Sequence, residues 1–169
     1  MFKAAFIGLG TMGGAMASNL AKGDISLAVF DTNAAMLEPF RAKKNCRIAS
    51  SVADAAKGAD YLFLILPDSS VVEQVLFGPN GATEALPRNA LVIEMSTGSP
   101  QAFAPLRARL AEKQLRMIDV PVGRTPGHAV QGDLLVMVGA DEVTLNEVRP
   151  MLTYFGKDIV HVGPPGDAI

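Results

Sequence analysis

The sequence predicts an α/β domain built on a doubly wound, mainly parallel sheet with helices on both faces. Two observations carry this. Short apolar runs alternate with segments of helical period, and a glycine-rich turn falls where the first run ends and the first helical segment starts. The strand candidates are Lys3 to Ile7, Ser26 to Phe30, Tyr61 to Leu66 and Leu91 to Glu94. Helical period is read over Met12 to Lys22, Ala34 to Lys43, Ser69 to Phe77 and Pro100 to Glu112, with a shorter stretch over Val52 to Lys57. Each strand and helix pair has about the length that a right-handed crossover needs. Beyond Lys113 the alternation changes: strands Arg116 to Asp119 and Leu134 to Val138 are read as joined by a Gly/Pro-rich loop, not a helix. Such a loop is a candidate site. A final helix, Val143 to Tyr154, and a final strand, Ile159 to His161, lead into Gly163-Pro164-Pro165-Gly166, read as a turn or linker. One domain over 1–163 is expected, with 164–169 opening a linker.

Composition narrows the function classes. The 169 residues are 49% hydrophobic and 19% charged, enough apolar content for one substantial core. With a formal net charge of −2 and no basic run, nothing points to nucleic acid, and small-molecule partners are expected. The single cysteine, Cys46, has no intramolecular partner and belongs to no cluster with metal-ligand spacing, which suits a reducing cytoplasm. His128 and His161 likewise lack a partner at ligand spacing, so no metal site is expected. Lys3, the apolar run after it and Ala15-Met16-Ala17 imitate a secretion signal, but four glycines interrupt the stretch and have a better explanation. No apolar stretch reaches the roughly 20 residues that a bilayer span requires.

The explanation is the turn Gly8-Leu9-Gly10-Thr11-Met12-Gly13 between strand and helix. In that setting Gly8 permits the tight turn, Gly10 lets the backbone approach a pyrophosphate, and Gly13 lets the helix pack closely on the strand. This is the spelling of a Rossmann-type dinucleotide site. Asp31 closes the second strand 18 residues after Gly13, where a carboxylate accepts hydrogen bonds from an adenosine ribose. A 2′-phosphate would be repelled by it, and Thr32-Asn33-Ala34-Ala35 supplies no cation, so the expected cofactor is NAD, not NADP. Two further strand ends, Leu66-Pro67-Asp68 and Met95-Ser96-Thr97, lead to the same sheet edge. For Thr97 two roles stay open, a helix cap or a cofactor contact.

Taken together, these residues resemble the β-hydroxyacid dehydrogenase family that includes the 3-hydroxyisobutyrate dehydrogenases, over essentially the whole chain. The resemblance is carried by Phe6 to Gly13 followed by Met16-Ala17-Ser18-Asn19-Leu20, and by Leu66-Pro67, Ser96-Thr97 and Asp119-Val120-Pro121-Val122. It implies that Thr11, Met12, Asp31, Leu66 and Thr97 contact the cofactor, together with Gly8, Gly10, Gly13 and Pro67. After Pro121-Val122 the family usually reads Ser-Gly-Gly, a cradle for a substrate carboxylate. Here Gly123-Arg124-Thr125 resembles the sulfolactaldehyde reductase branch, in which an arginine meets a sulfonate. A guanidinium suits that task, because its planar fork of donors stays charged.

The resemblance also implies what is not in this chain. The family's catalytic lysine falls a few residues past Ile169, so no catalytic residue is expected within 1–169, and an all-helical second domain that completes the cleft and a homo-oligomer is expected outside it. Asp167-Ala168 stands where relatives commonly carry a second glycine. The expected function is NAD-dependent interconversion of a short anionic aldehyde or hydroxyacid with its partner alcohol or aldehyde, with 3-sulfolactaldehyde preferred over 3-hydroxyisobutyrate. Two rivals are a methyltransferase, disfavoured by the spacing of glycines and acid, and a domain that senses NAD(H) without chemistry.

Overall fold

The computed structural model describes residues 1–169. Nine strands form one sheet: β1 (Phe2–Ile7), β2 (Ile25–Phe30), β3 (Cys46–Ile48), β4 (Tyr61–Leu64), β5 (Leu91–Glu94), β6 (Arg116–Asp119), β7 (Val122–Gly123), β8 (Leu135–Gly139) and β9 (Asp158–Gly163). Six helices accompany them: α1 (Thr11–Leu20), α2 (Val52–Ala56), α3 (Ser69–Phe77), α4 (Pro100–Glu112), α5 (Pro126–Gln131) and α6 (Glu142–Leu152). The first six strands are parallel in the order β3-β2-β1-β4-β5-β6, and β8 joins β6 and β7 antiparallel while pairing β9 in parallel. The strand order reverses between β1 and β4. In such sheets ligands bind outside the carboxyl ends of the strands at that reversal.

The strands carry apolar residues on both faces because each face is covered. One core gathers Phe6, Phe63, Leu27 and Val136 from the sheet with Met16, Leu20, Val148 and Phe155. Phe6, Phe63 and Phe155 pack with ring centroids 5.7–6.3 Å apart. The opposite core joins Ile7, Leu62, Leu64 and Val92 to Val72 and Leu76 of α3 and to Phe103, Leu106 and Leu110 of α4. Full burial of such side chains contributes about 1.5–3 kcal/mol each.

Several elements differ from the sequence expectation. Ala34–Phe40 is a 3₁₀ segment, not an α-helix, because Pro39 lacks the N–H that an α-turn would use and restrains Glu38 before it. β3 was not foreseen: it is three residues long, at the sheet edge, and Arg47 at its centre is exposed. Cys46 sits there half-buried, and burial pushes its thiol pKa up. The Gly/Pro-rich loop after β6 contains β7 and α5. Thr125 caps α5, Pro126 occupies its first turn, and Gly132 ends it in the left-handed region at φ +66°. Finally, β9 runs to Gly163, two residues past the expected strand end at His161. No helix is long and apolar enough to cross a membrane.

Candidate functional site

A cleft of about 850 Å³ opens at the carboxyl edge of the sheet, over the point where the strand order reverses. Its floor is the glycine turn. Gly8 has φ +98°, and a Cβ there would collide with the Ile65 carbonyl oxygen; a Cβ on Gly13 would collide with the Gly8 carbonyl oxygen. Both glycines therefore serve the packing of α1 on β1 and β4. Gly10 differs, since a Cβ there meets nothing within 4 Å and would project into open space. Its freedom matters for what the cleft admits, not for the fold.

Asp31, at the end of β2, lines the cleft beside Phe30 and Thr32. Its Oδ2 accepts the Leu9 N–H at 2.8 Å and its Oδ1 accepts the Asn33 N–H at 2.8 Å. A carboxylate offers about four acceptor positions, so two remain for hydroxyl groups of a ligand. On the facing wall stand Leu66, Pro67, Val71 and Val75, with Val52 close by, an apolar slot that sequence reading did not single out because valines on short helices read as core.

The β5 end is organised by a buried relay. Glu94 is 1% exposed, and its Oε1 accepts the Ser96 N–H at 2.6 Å. The Ser96 hydroxyl in turn accepts the Leu66 N–H at 2.7 Å. Burial pushes the Glu94 carboxyl up to about 7, against the hydrogen bonds from Ser96 that pull it down. The sequence pattern marks Glu94 only as the end of a strand. Its signal in the sequence is an acid closing an otherwise apolar strand immediately before the Ser96-Thr97 pair.

The two roles open for Thr97 are separated by the geometry: Ser99, not Thr97, caps α4 by accepting the Ala102 N–H at 3.2 Å. Thr97 is exposed and lines the cleft. Met12 also lines it, whereas Thr11 lies on the other flank of the helix start, in a separate groove with Ser18, Lys22 and Lys43.

Of Gly123-Arg124-Thr125, only Arg124 lines the cleft. Val122 and Pro126, on either side of it in the chain, line the cleft as well. Gly123 instead pairs with Leu135 of β8, and the Thr125 hydroxyl is taken up in capping α5, with His128 Nδ1 at 2.7 Å. Gly123 and Thr125, expected with Arg124 in the substrate site, do not line the cleft beside it. Arg124 adopts φ +81°, a left-handed backbone that a branched-out side chain rarely takes. Its guanidinium donates to the Asp158 carboxylate at 2.6 Å and to the Asp133 carbonyl at 3.0 Å. His161 is bound within the protein through Nε2 to the Ala140 carbonyl at 2.6 Å.

A reversal-point cleft, a glycine turn packed against it and a carboxylate at the second strand end define a dinucleotide-binding domain. The chain belongs to the family described as the NAD binding domain of 6-phosphogluconate dehydrogenase, which matches residues 3–163, and its cofactor is NAD. It is 41% identical over 165 residues to 3-sulfolactaldehyde reductase of Escherichia coli, covering 98% of this chain and 55% of the reductase. It is 35% identical to 2-(hydroxymethyl)glutarate dehydrogenase of Eubacterium barkeri, over 97% of this chain and 54% of that enzyme. Among solved structures, 3-hydroxyisobutyrate dehydrogenase of Mycobacterium tuberculosis with L-serine superposes with a TM-score of 0.90 at 28% identity, over 99% of this chain and 56% of that one. The chain thus spans about half the length of these relatives.

Proposed function

We propose that this domain is the cofactor half of an oxidoreductase that interconverts a short anionic aldehyde and its primary alcohol, with 3-sulfolactaldehyde the preferred aldehyde. The observation that carries the reading is Arg124, a cation on the wall of the NAD cleft in a backbone conformation that costs about 1–3 kcal/mol. The similarity to a 3-sulfolactaldehyde reductase supports the choice of anion.

The cleft fits the dinucleotide. Gly10 leaves room for a pyrophosphate at the start of α1, Asp31 has acceptor positions for the ribose, and Val52, Val71 and Val75 form an apolar slot suited to a planar base. Bound NAD(H) supplies the hydride. Leu66, Ser96 and Thr97 hold the far end of the cleft, and Arg124 orients the substrate anion by charge-assisted hydrogen bonds from the donors that Asp158 and Asp133 leave free. The only ionisable side chains lining the cleft are Asp31 and Arg124. Neither is suited to protonate a carbonyl oxygen. The resemblance implies a lysine donor among the residues that follow Ile169, and on that reading the 169-residue chain binds NAD(H) without turnover.

Calorimetry with NADH tests the first half of this reading, and steady NADH consumption with an aldehyde by the 169-residue chain would contradict the second. The substrate is tested in a protein that carries the residues following Ile169. There Arg124→Ala is expected to lower kcat/KM for 3-sulfolactaldehyde about 100-fold, the effect of losing a charge-assisted contact of roughly 2.7 kcal/mol. Preference for 3-hydroxyisobutyrate over the sulfonate would assign the cleft to a carboxylate substrate instead.

A further inference from the structure

The carboxyl ends of β5 and β6 hold a second arrangement that cofactor binding does not use. Asp119, the last residue of β6, is 0% exposed, yet its carboxylate touches no other side-chain donor at hydrogen-bond distance. It accepts two backbone N–H groups from the other end of the chain: Gly166 to Oδ1, and Ala168 to Oδ2 at 2.8 Å. Arg107 of α4 lies across it, with Nη2 3.6 Å from Oδ1, and its Nε and Nη2 are buried without a hydrogen-bond partner.

The surroundings are shaped around this contact. Gly139 of β8 faces Asp119 so closely that a Cβ there would collide with Oδ2, which makes glycine the residue that leaves room for the carboxylate. Gly166 has φ +104°, so the turn needs its glycine as well. The turn is closed by the Asp167 N–H donating to the Pro164 carbonyl at 3.1 Å, and joined to β8 by the Ala140 N–H donating to the Gly163 carbonyl at 2.9 Å. Ile169 then packs, partly buried, against the core that α3 and α4 cover. Two prolines and a glycine would read as a loose tether; here they wrap a buried charge.

We propose that Asp119 and Arg107 are positioning residues that clamp the turn Gly163–Ala168 to the sheet and give the backbone leaving the domain one fixed direction beside the cofactor cleft. Asp119 is the register partner of Glu94, which holds the Ser96 N–H in the cleft wall, so clamp and cleft are built on adjacent strand ends. A buried carboxylate is suited to this work, because charge-assisted hydrogen bonds to backbone N–H groups are short and strong in a site of low dielectric. The guanidinium offsets the cost of burying it. The inference is independent of which aldehyde the cleft accepts.

Amide hydrogen exchange and ¹⁵N relaxation on the 169-residue chain test it. In the wild type the Gly166 and Ala168 amides should exchange at least about 100-fold slower than in an unfolded chain, with order parameters near those of β1, about 0.85. Asp119→Asn should speed exchange at those two amides about tenfold or more, leaving β1 and β4 amides and NADH affinity unchanged. Arg107→Met, at a partly exposed position, is the second variant, expected to loosen the same two amides, with Arg107→Lys restoring part of the protection. Unfolded-chain exchange at Gly166 and Ala168 in the wild type would overturn the proposal. So would loss of protection spread evenly over the sheet in the Arg107→Met variant, because that is the mark of a general stability effect. Loss of NADH binding with the clamp intact would refute the cofactor reading alone.

Discussion

Asp31 at the end of β2 accepts the backbone N–H of Leu9 at 2.8 Å, so the carboxylate expected to meet the ribose also ties the glycine turn to its neighbouring strand. The two roles separate in mutants. Asp31→Asn keeps an acceptor for Leu9 but loses the charge, while Asp31→Ala loses both. We expect Asp31→Ala to weaken NADH about 10–100-fold. Both substitutions should narrow the NADH/NADPH affinity ratio by removing repulsion of a 2′-phosphate. Calorimetric titration with both cofactors checks this, and an unchanged ratio in both variants would place selectivity elsewhere.

The three glycines of the turn should fail in different ways. Gly8→Ala and Gly13→Ala force a Cβ into backbone carbonyl oxygens and should cost several kcal/mol of stability, on the scale of overpacked cores. Gly10→Ala meets no atom within 4 Å, so its melting temperature should stay within about 3 °C of wild type. Its NADH affinity should nevertheless fall at least about tenfold, because the methyl group stands where a pyrophosphate approaches. Thermal melts beside NADH titrations of the three variants distinguish these outcomes.

Glu94 should leave a signature in stability against pH. Its folded pKa, about 7, lies above the ordinary value of 4.5, so between these values the folded chain holds a proton that the unfolded chain has released. Stability contributed by this group is therefore fully present below pH 4.5. It is lost as pH rises to about 7, by about 3 kcal/mol in all. Glu94→Gln keeps an acceptor for Ser96 and should remove that decline. Urea midpoints at pH 5 and pH 8 for both chains give the comparison, and equal slopes would contradict it.

Arg124 should reveal its backbone cost when it is shortened. Because φ is +81°, Arg124→Gly should be more stable than Arg124→Ala by about 1 kcal/mol, the reverse of the usual order of alanine and glycine. Chemical denaturation of the 169-residue variants checks this. In a protein carrying the residues after Ile169, Asp158→Asn should lower KM for an anionic substrate about two- to fivefold by freeing guanidinium charge. A raised KM would show that Asp158 serves mainly to aim the arginine.

What the sequence made legible was whatever follows a strict period or a fixed spelling. β1, β5, α3 and α4 lie within a residue of expectation because apolar runs end at turn or cap residues such as Asp68 and Ser99. The glycine turn and Asp31 were readable because the backbone of such a turn admits few residue types. The rest depended on tertiary partners. β3 is a strand only because β2 offers its edge, and Asp119 matters through contacts 47 and 49 residues away. α5 was readable in principle, from Thr125-Pro126 at one end and Gly132 at the other. Its Gly127 and short length made it look like loop.

One buried carboxamide has a mechanical consequence. Asn19, near the end of α1, donates to the Ala129 carbonyl at 2.8 Å and the Val130 carbonyl at 3.3 Å, both on α5, and accepts from Lys22. α5 begins two residues after Arg124, so the helix that bears the glycine turn and the segment that bears the guanidinium are bolted to one frame. These hydrogen bonds join α1 and α5 into one packed unit that resists a change in the separation of the two ends of the cleft. On the proposed function, the reaction depends on how closely cofactor and substrate are held, and a frame of this kind fixes the relative placement of their two binding walls before either molecule arrives.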